Sequence, residues 1–188
     1  MTDAVRQALA EHLEVVRRLD DLLPQVDEVA RRVIEAYGRG GRVFAFGNGG
    51  SAADAQHLAT EYVVRYQSNR PALRAVALTT DSSLLTACAN DMGFDEVFAR
   101  QVEALARAGD VLSLHSTSGD SPNVIRAAQS AKARAVTVVG FLGHGGGRLK
   151  DLADIALIVP SDDTARIQEI HLAIEHLICE LVEARLRG

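Results

Sequence analysis

The fold follows from the stretch Phe44-Ala-Phe-Gly-Asn-Gly-Gly-Ser-Ala-Ala-Asp-Ala-Gln-His-Leu-Ala-Thr-Glu61, which joins an apolar strand, a glycine-rich turn and a helix. The turn exposes backbone N–H groups, because its glycines lack the Cβ that would keep a polar ligand away. His57 and Glu61 are one turn apart on the same face of the predicted helix. This spacing allows them to share a metal ion or a substrate atom.

The rest of the chain repeats this alternation of strand and helix. Apolar runs typical of parallel strands covered on both faces lie at residues 43–46, 75–78, 111–114, 136–139 and 155–159. Helical periodicity lies near residues 52–66, 82–106, 122–133 and 164–186. The pattern predicts an α/β fold, a three-layer αβα sandwich around a central parallel five-stranded sheet, with ligands at the carboxyl ends of the strands.

A helical segment, about residues 1–38, precedes the first predicted strand. Residues 9–37 have the spacing of one long helix or two consecutive helices, with Pro24 as the candidate break. We expect this segment to pack on the sandwich, so that residues 1–188 form a single domain.

Composition excludes several classes of protein. At 188 residues and 47% hydrophobic content, the chain can bury a full core. A net charge of −5 and the lack of basic runs argue against nucleic-acid binding. The N-terminus lacks a signal-peptide profile and no apolar run is long enough for a membrane span, so we expect a cytoplasmic protein. Cys88 and Cys179 fit no disulfide scaffold and are expected to be reduced core residues.

A second polar turn follows the predicted strand at 111–114. It reads His115-Ser-Thr-Ser-Gly-Asp-Ser-Pro122 and contains four hydroxyls. A helix start with free N–H groups and surrounding hydroxyls can hold a phosphate without Lys or Arg. The alternative is a capped loop whose hydroxyls only satisfy the backbone. The density of hydroxyls at the end of a strand favours a ligand.

Other polar groups have two interpretations each. The first turn also fits the G-x-G-x-x-G/A dinucleotide pattern, but that motif alone is weak and Asp81 comes late for the ribose. The pair of His57 and Glu61 could be an exposed ion pair. Asn90-Asp91 could bind sugar hydroxyls or belong to an ordinary loop. Gly143-His-Gly-Gly-Gly147 is turn material to which we assign no role.

The last predicted helix carries Gln168, His171 and His176. Eight residues separate Gln168 from His176, about 12 Å along an ideal helix. Geometry alone therefore favours His171 as the partner of Gln168. The alternative is that these side chains form the polar stripe of an amphipathic helix.

Taken together, the motifs resemble one family over about residues 5–185. They are Gly47-Asn-Gly-Gly-Ser51, the His57/Glu61 pair, Arg70-Pro71, Asn90-Asp91, Ser116-Thr-Ser-Gly119, and Arg166-Ile-Gln-Glu-Ile-His171 with His176. The ordered set resembles the sedoheptulose-7-phosphate isomerases, or phosphoheptose isomerases, of the sugar isomerase (SIS) domain superfamily. The resemblance implies conversion of sedoheptulose 7-phosphate to D-glycero-D-manno-heptose 7-phosphate through an enediol, for heptose biosynthesis.

The resemblance also implies roles for residues. Glu61 would be the catalytic base and His176 the catalytic acid, and one zinc ion per site would be bound by His57, Glu61, Gln168 and His176. The substrate would be contacted by Asn48, Gly49, Gly50, Ser51, Glu61, Asn90, Asp91, Ser116, Thr117, Ser118, Ser121 and Gln168. Family members are usually homotetramers. With the apolar stripes on helices 9–37 and 164–186, this predicts a tetramer with active sites at subunit interfaces.

Two other functions share these motifs. A non-enzymatic sister family binds the bacterial replication initiator, and it should lack the catalytic carboxylate that Glu61 provides here. A sugar-phosphate-binding regulator would keep the hydroxyl turn and dispense with His57 and Glu61. One departure from the family concerns Asp120, which stands where relatives often have Asn. A carboxylate there should weaken phosphate binding unless it points away.

Overall fold

Five parallel strands form one sheet in the computed structural model, which describes residues 1–186. The strands are β1 (Val43–Gly47), β2 (Ala75–Ala77), β3 (Val111–Ser116), β4 (Thr137–Leu142) and β5 (Ile155–Ile158). Their order across the sheet is β2-β1-β3-β4-β5, and every neighbouring pair is parallel. The predicted central sheet is confirmed. β3 and β4 extend two or three residues beyond their predicted ends.

Seven α-helices surround the sheet within the described residues. They are α1 (Thr2–Arg17), α2 (Leu23–Gly38), α3 (Gly50–Val63), α4 (Ser82–Asp91), α5 (Ala99–Leu105), α6 (Pro122–Lys132) and α7 (Thr164–Leu186). A 3₁₀ turn at Leu19–Leu22 separates α1 from α2, so the N-terminal segment is two helices. Pro24 lies in the first turn of α2, where its missing N–H costs no helical bond.

The helical stretch predicted near 82–106 is divided into two helices, α4 and α5. Gly93 has φ +94, a left-handed conformation that ends α4, and a 3₁₀ turn at Phe94–Glu96 leads into α5. Asp81, which we considered for a ribose, caps α4 instead: its carboxylate accepts a hydrogen bond from the backbone N–H of Leu84 at 3.0 Å.

The two faces of the sheet bury separate cores. Helices α2, α3 and α7 cover one face, where Val43, Val111 and Phe141 point. Helices α4, α5 and α6 cover the other, against Phe44 and Leu112. Side chains alternate in this way because successive residues of a strand face opposite sides. Both cysteines are free and buried, as predicted.

The sheet topology sets the position of the site. From β1 the chain moves to β2 on one side, whereas from β3 it moves to β4 on the other. The carboxyl ends of β1 and β3 therefore lie side by side at a topological switch point, where open α/β sheets bind ligands. Gly47 is in register with His115, so the two polar turns of the sequence begin next to each other.

Candidate active site

The glycine turn after β1 fits tightly between its neighbours. A Cβ on Gly47 would lie 2.7 Å from the Cβ of Ser51 and 2.8 Å from the carbonyl oxygen of His115. Gly49 has φ +57, and both Gly49 and Gly50 are exposed. A Cβ on Gly50 would overlap the carboxamide of Gln168, so α7 places this side chain directly against the turn. Glycines at both positions let a ligand and Gln168 approach the backbone closely.

The hydroxyl turn after β3 leads into α6. The Ser116 hydroxyl accepts a hydrogen bond from the backbone N–H of Gly119 at 3.2 Å and lies 3.3 Å from the Ser121 hydroxyl. The Ser118 hydroxyl accepts from the backbone N–H of Asp120 at 3.2 Å. Ser121 occupies the N-cap of α6, yet its hydroxyl caps no N–H of the helix. The first N–H groups of α6 and this hydroxyl can therefore bind an anion.

An amide pair that the sequence did not reveal joins the two turns. The Asn48 side-chain amide donates to the Asn123 carboxamide oxygen at 2.9 Å, and Asn123 donates back to Asn48 at 2.8 Å. Asn123 is buried in the first turn of α6. The Asn48 amide, predicted to contact substrate, thus holds the β1 turn to the β3 turn. Only the register of β1 with β3 brings these residues together.

His176, Glu61 and His57, which the resemblance proposes as acid, base and metal ligand, lie close together. Nε2 of His57 lies 2.9 Å from Nε2 of His176, and 3.6 Å from Oε1 of Glu61. The contact between the two imidazoles requires one ring to donate a proton and the other to accept it. The Glu61 side chain is 18% exposed, compared with 37% for His57. The carboxylate is thus shielded but still reachable by a small molecule.

His171 is not the partner that helix geometry favoured. It is fully buried under the site, and its Nε2 lies 3.1 Å from the carbonyl oxygen of Leu142. Burial, with the nearby charge of His115, lowers the pKa of His171 to about 3. His171 is therefore a neutral core histidine, and His176 is the α7 histidine that reaches His57.

A salt bridge behind the site supports the helix that carries Glu61. The guanidinium of Arg70 donates to the carbonyl oxygens of Glu61 at 2.6 Å and Tyr62 at 2.9 Å, at the last turn of α3. Its Nε lies 3.4 Å from the Glu183 carboxylate of α7, and both side chains are buried. Arg70 thus satisfies carbonyls that the end of a helix leaves unpaired.

A buried polar cluster under the site was also missed from the sequence. Nε2 of His115 lies 2.8 Å from Oε1 of Glu175, and both are fully buried. The angles are not those of a hydrogen bond, so the contact is electrostatic. Burial, and to a lesser extent the Glu175 carboxylate, raises the pKa of Asp54 to about 6. The signal in the sequence was a polar residue at a core position of a strand and of a helix.

Asn90 and Asp91 lie apart from this group. Both are exposed at the end of α4, and the Asn90 amide donates to the Asp91 carboxylate at 2.7 Å. Asp91 also lines a mostly apolar cavity of about 500 Å³ between α4 and α5. Within residues 1–186, neither side chain hydrogen-bonds to His57, Glu61 or Gln168.

The glycine-rich segment after β4 has a structural role that we did not assign from the sequence. It forms a 3₁₀ segment, His144–Asp151, interrupted by glycines with positive φ. The backbone N–H of Leu149 donates to the carbonyl oxygen of Gly119 at 3.0 Å. Arg148 forms an ion pair with Asp120 at 3.0 Å. This segment therefore lies against the hydroxyl turn.

Comparisons with known proteins agree with this geometry. A family model for the SIS domain matches residues 7–143. The chain is 47% identical to a phosphoheptose isomerase of Trichlorobacter lovleyi, covering 100% of this chain and 96% of that protein. It is 54% identical to one from Pelobacter propionicus over 88% of each. The structure of phosphoheptose isomerase from Neisseria gonorrhoeae superposes with a TM-score of 0.92 at 41% identity, covering 97% of this chain and 98% of that one. The chain belongs to the SIS domain family, among the phosphoheptose isomerases.

Proposed function

We propose that this protein is an aldose-ketose isomerase that converts sedoheptulose 7-phosphate to D-glycero-D-manno-heptose 7-phosphate for heptose biosynthesis. One observation carries the proposal: α3 and α7 bring Glu61, His57 and His176 together, and the two polar turns begin side by side at the switch point of the sheet. The names and high identity of the relatives support it.

The reaction moves a carbonyl between C1 and C2 and needs an acid and a base. Glu61 removes the proton from the carbon next to the carbonyl, which leaves an enediol. His176 moves a proton at the neighbouring oxygen, and the proton held by Glu61 returns to the other carbon. The substrate phosphate is held by the hydroxyls of residues 116–121 and the N–H groups that open α6.

A zinc ion is part of the proposal. Within the described residues, no group of three or more His, Cys, Asp or Glu side chains is already arranged around a metal position. The donor set nevertheless fits zinc. Nitrogen ligands of a tetrahedral zinc lie about 3.4 Å from each other, and the Nε2 atoms of His57 and His176 are 2.9 Å apart. Small side-chain rotations would admit the ion.

His57, His176 and Glu61 would hold zinc, with a fourth ligand from α7, the Gln168 carboxamide, which lies against the glycine turn. The ion would act as a Lewis acid toward the substrate oxygens. Ligation would also make Glu61 a weaker base than a free carboxylate.

We also propose a homotetramer in the cytoplasm, where phosphorylated sugars are metabolised. No helix within residues 1–186 is long and apolar enough to cross a membrane. The two alternative functions are less well supported. A binder of the replication initiator or a sugar-phosphate-binding regulator does not need Glu61, His57 and His176 in contact.

The test is turnover of sedoheptulose 7-phosphate by the purified protein, followed by appearance of the aldose. Glu61→Gln should reduce kcat by at least about 10²-fold, the contribution expected of a positioned base. Glu103→Gln, the same change on the exposed surface of α5, should leave kcat unchanged. Metal analysis should show one zinc per chain, and His57→Ala should lower that content. Wild-type turnover by Glu61→Gln would remove Glu61 from the mechanism, and full activity after chelation would remove the metal.

A further inference from the structure

The ion pair between Asp120 and Arg148 lies at the edge of the hydroxyl turn. The Asp120 Oδ1 accepts hydrogen bonds from the backbone N–H of Arg148 at 3.1 Å and from its Nε at 3.0 Å. The guanidinium also donates to the backbone carbonyl of Asp120 at 3.2 Å. Three bonds between two residues fix the carboxylate toward Arg148.

Glycines make this approach possible. A Cβ on Gly147 would lie 2.7 Å from the other carboxylate oxygen of Asp120, and a Cβ on Gly119 would overlap the carbonyl oxygen of Gly146. Both glycines have positive φ, +69 for Gly119 and +50 for Gly147. The backbones of the two segments therefore touch where the pair forms, which separates it from an accidental contact of long side chains.

The charge of Asp120 can affect phosphate binding because this residue lies close to the serines of the hydroxyl turn. It lies two positions after Ser118, a span of at most about 7 Å, and its own N–H donates a hydrogen bond to the Ser118 hydroxyl. Hydrogen bonds from Arg148 lower the pKa of Asp120, so the carboxylate is ionised at neutral pH. An uncompensated carboxylate at this distance repels a phosphate dianion.

We propose that Arg148 is a positioning residue that cancels the charge of Asp120 and so sets the affinity of the hydroxyl turn for the substrate phosphate. This proposal rests on the proposed function, because it takes residues 116–121 as the phosphate site. It also explains how the site can keep Asp120, whose carboxylate alone is expected to weaken phosphate binding.

A double-mutant cycle of Arg148→Gln, Asp120→Asn and the double variant tests the proposal. At low ionic strength, Arg148→Gln should raise KM and the inhibition constant of inorganic phosphate about threefold to tenfold, because it exposes the carboxylate. Asp120→Asn should lower both, because the guanidinium remains alone. The double variant should return to near the wild-type values. The pair is exposed, 67% for Arg148 and 52% for Asp120, so 0.5 M salt should remove most of these differences.

The control is Lys132→Gln, which removes a cation at the C-terminal end of α6. Along this 11-residue helix, Lys132 is about 15 Å from the helix start that follows the hydroxyl turn. This variant should not change KM. If both single variants raise KM at every salt concentration, the pair only latches the loop. If the double variant is as weak as Arg148→Gln, Arg148 binds the phosphate directly. Either result overturns the proposal.

The phosphate site itself is checked separately with Ser118→Ala and Ser121→Ala. If these variants weaken binding of inorganic phosphate and the cycle shows no opposite signs, the charge proposal fails and the site stands. If neither serine variant changes phosphate binding, the site at residues 116–121 fails and the proposed function must place the phosphate elsewhere.

Discussion

His171 and His176 show how far single residues can be read from a sequence. Both were assigned to the polar side of α7, and the spacing of an isolated helix favoured His171. The structure buries His171 against Leu142 and brings His176 to within 2.9 Å of His57. The sequence predicts which residues share a face of α7. It does not predict where along its length α7 packs against α3. Only the motif resemblance grouped His176 with His57, the histidine that it contacts in the structure.

The burial of His171 predicts a pH dependence of stability. Its folded-state pKa of about 3 lies below the value of about 6.5 in an unfolded chain. Below about pH 6.5 the unfolded chain therefore binds a proton that the folded chain does not. The free energy of unfolding should fall by about 1.4 kcal/mol per pH unit as the pH decreases toward 4, from this residue alone.

The variant His171→Gln keeps a donor for the Leu142 carbonyl and cannot titrate. Urea unfolding at a fixed protein concentration and at pH 7, 6, 5 and 4 should give a shallower acid decline for the variant than for the wild type. Parallel curves for the two proteins would mean that His171 does not carry this part of the acid sensitivity.

At the scale of elements, strands were easier to predict than breaks in helices. The continuous apolar runs predicted all five strands, and the central strands β1 and β3 are buried on both faces, which is why they have no polar side. The break between α4 and α5 was missed, because the residues on either side of Gly93 keep a helical apolar spacing while the glycine takes a left-handed φ. Contacts between a turn and the start of a helix, such as Asn48 with Asn123, depend on strand register and have no signal in the local sequence.

The contact between the hydroxyl turn and the glycine-rich 3₁₀ segment predicts a stability effect. Gly119→Ala would place a methyl group on the Gly146 carbonyl in addition to the strain of a positive φ. We expect a loss of about 2–4 kcal/mol in the free energy of unfolding, with weaker phosphate binding. Gly40→Ala is the matched control, since Gly40 has φ +74 and no atom within 4 Å of the added Cβ.

The control should cost only about 1–2 kcal/mol, the strain of a left-handed non-glycine residue. Urea unfolding of both variants measures the difference. Equal losses would show that the hydroxyl turn moves freely away from the 3₁₀ segment, contrary to the close packing described above.

At the scale of the whole molecule, apolar side chains remain exposed on the helices outside the sheet. Val5, Leu9 and Leu13 form an exposed stripe on α1. Leu23 of α2 lines an apolar groove with Leu177 and Leu181 of α7. Surfaces of this kind on a closed homo-oligomer are covered by a second copy.

We therefore expect light scattering at micromolar concentration to give the mass of four chains, and Leu181→Glu to give smaller species. A fully active monomer at all concentrations would contradict the tetramer. His57, Glu61 and His176 meet within one chain. Mixing Glu61→Gln with His176→Ala should accordingly restore no activity beyond that of the separate variants, even when subunit exchange is proven.

The contact of His57 with His176 also forms late in protein synthesis. The two residues are 119 positions apart in the chain, and all five strands lie before the helix that carries His176. The ribosome must therefore complete the segment that forms α7 before His176 can reach His57. A nascent or truncated chain can contain all five strands and still lack this contact.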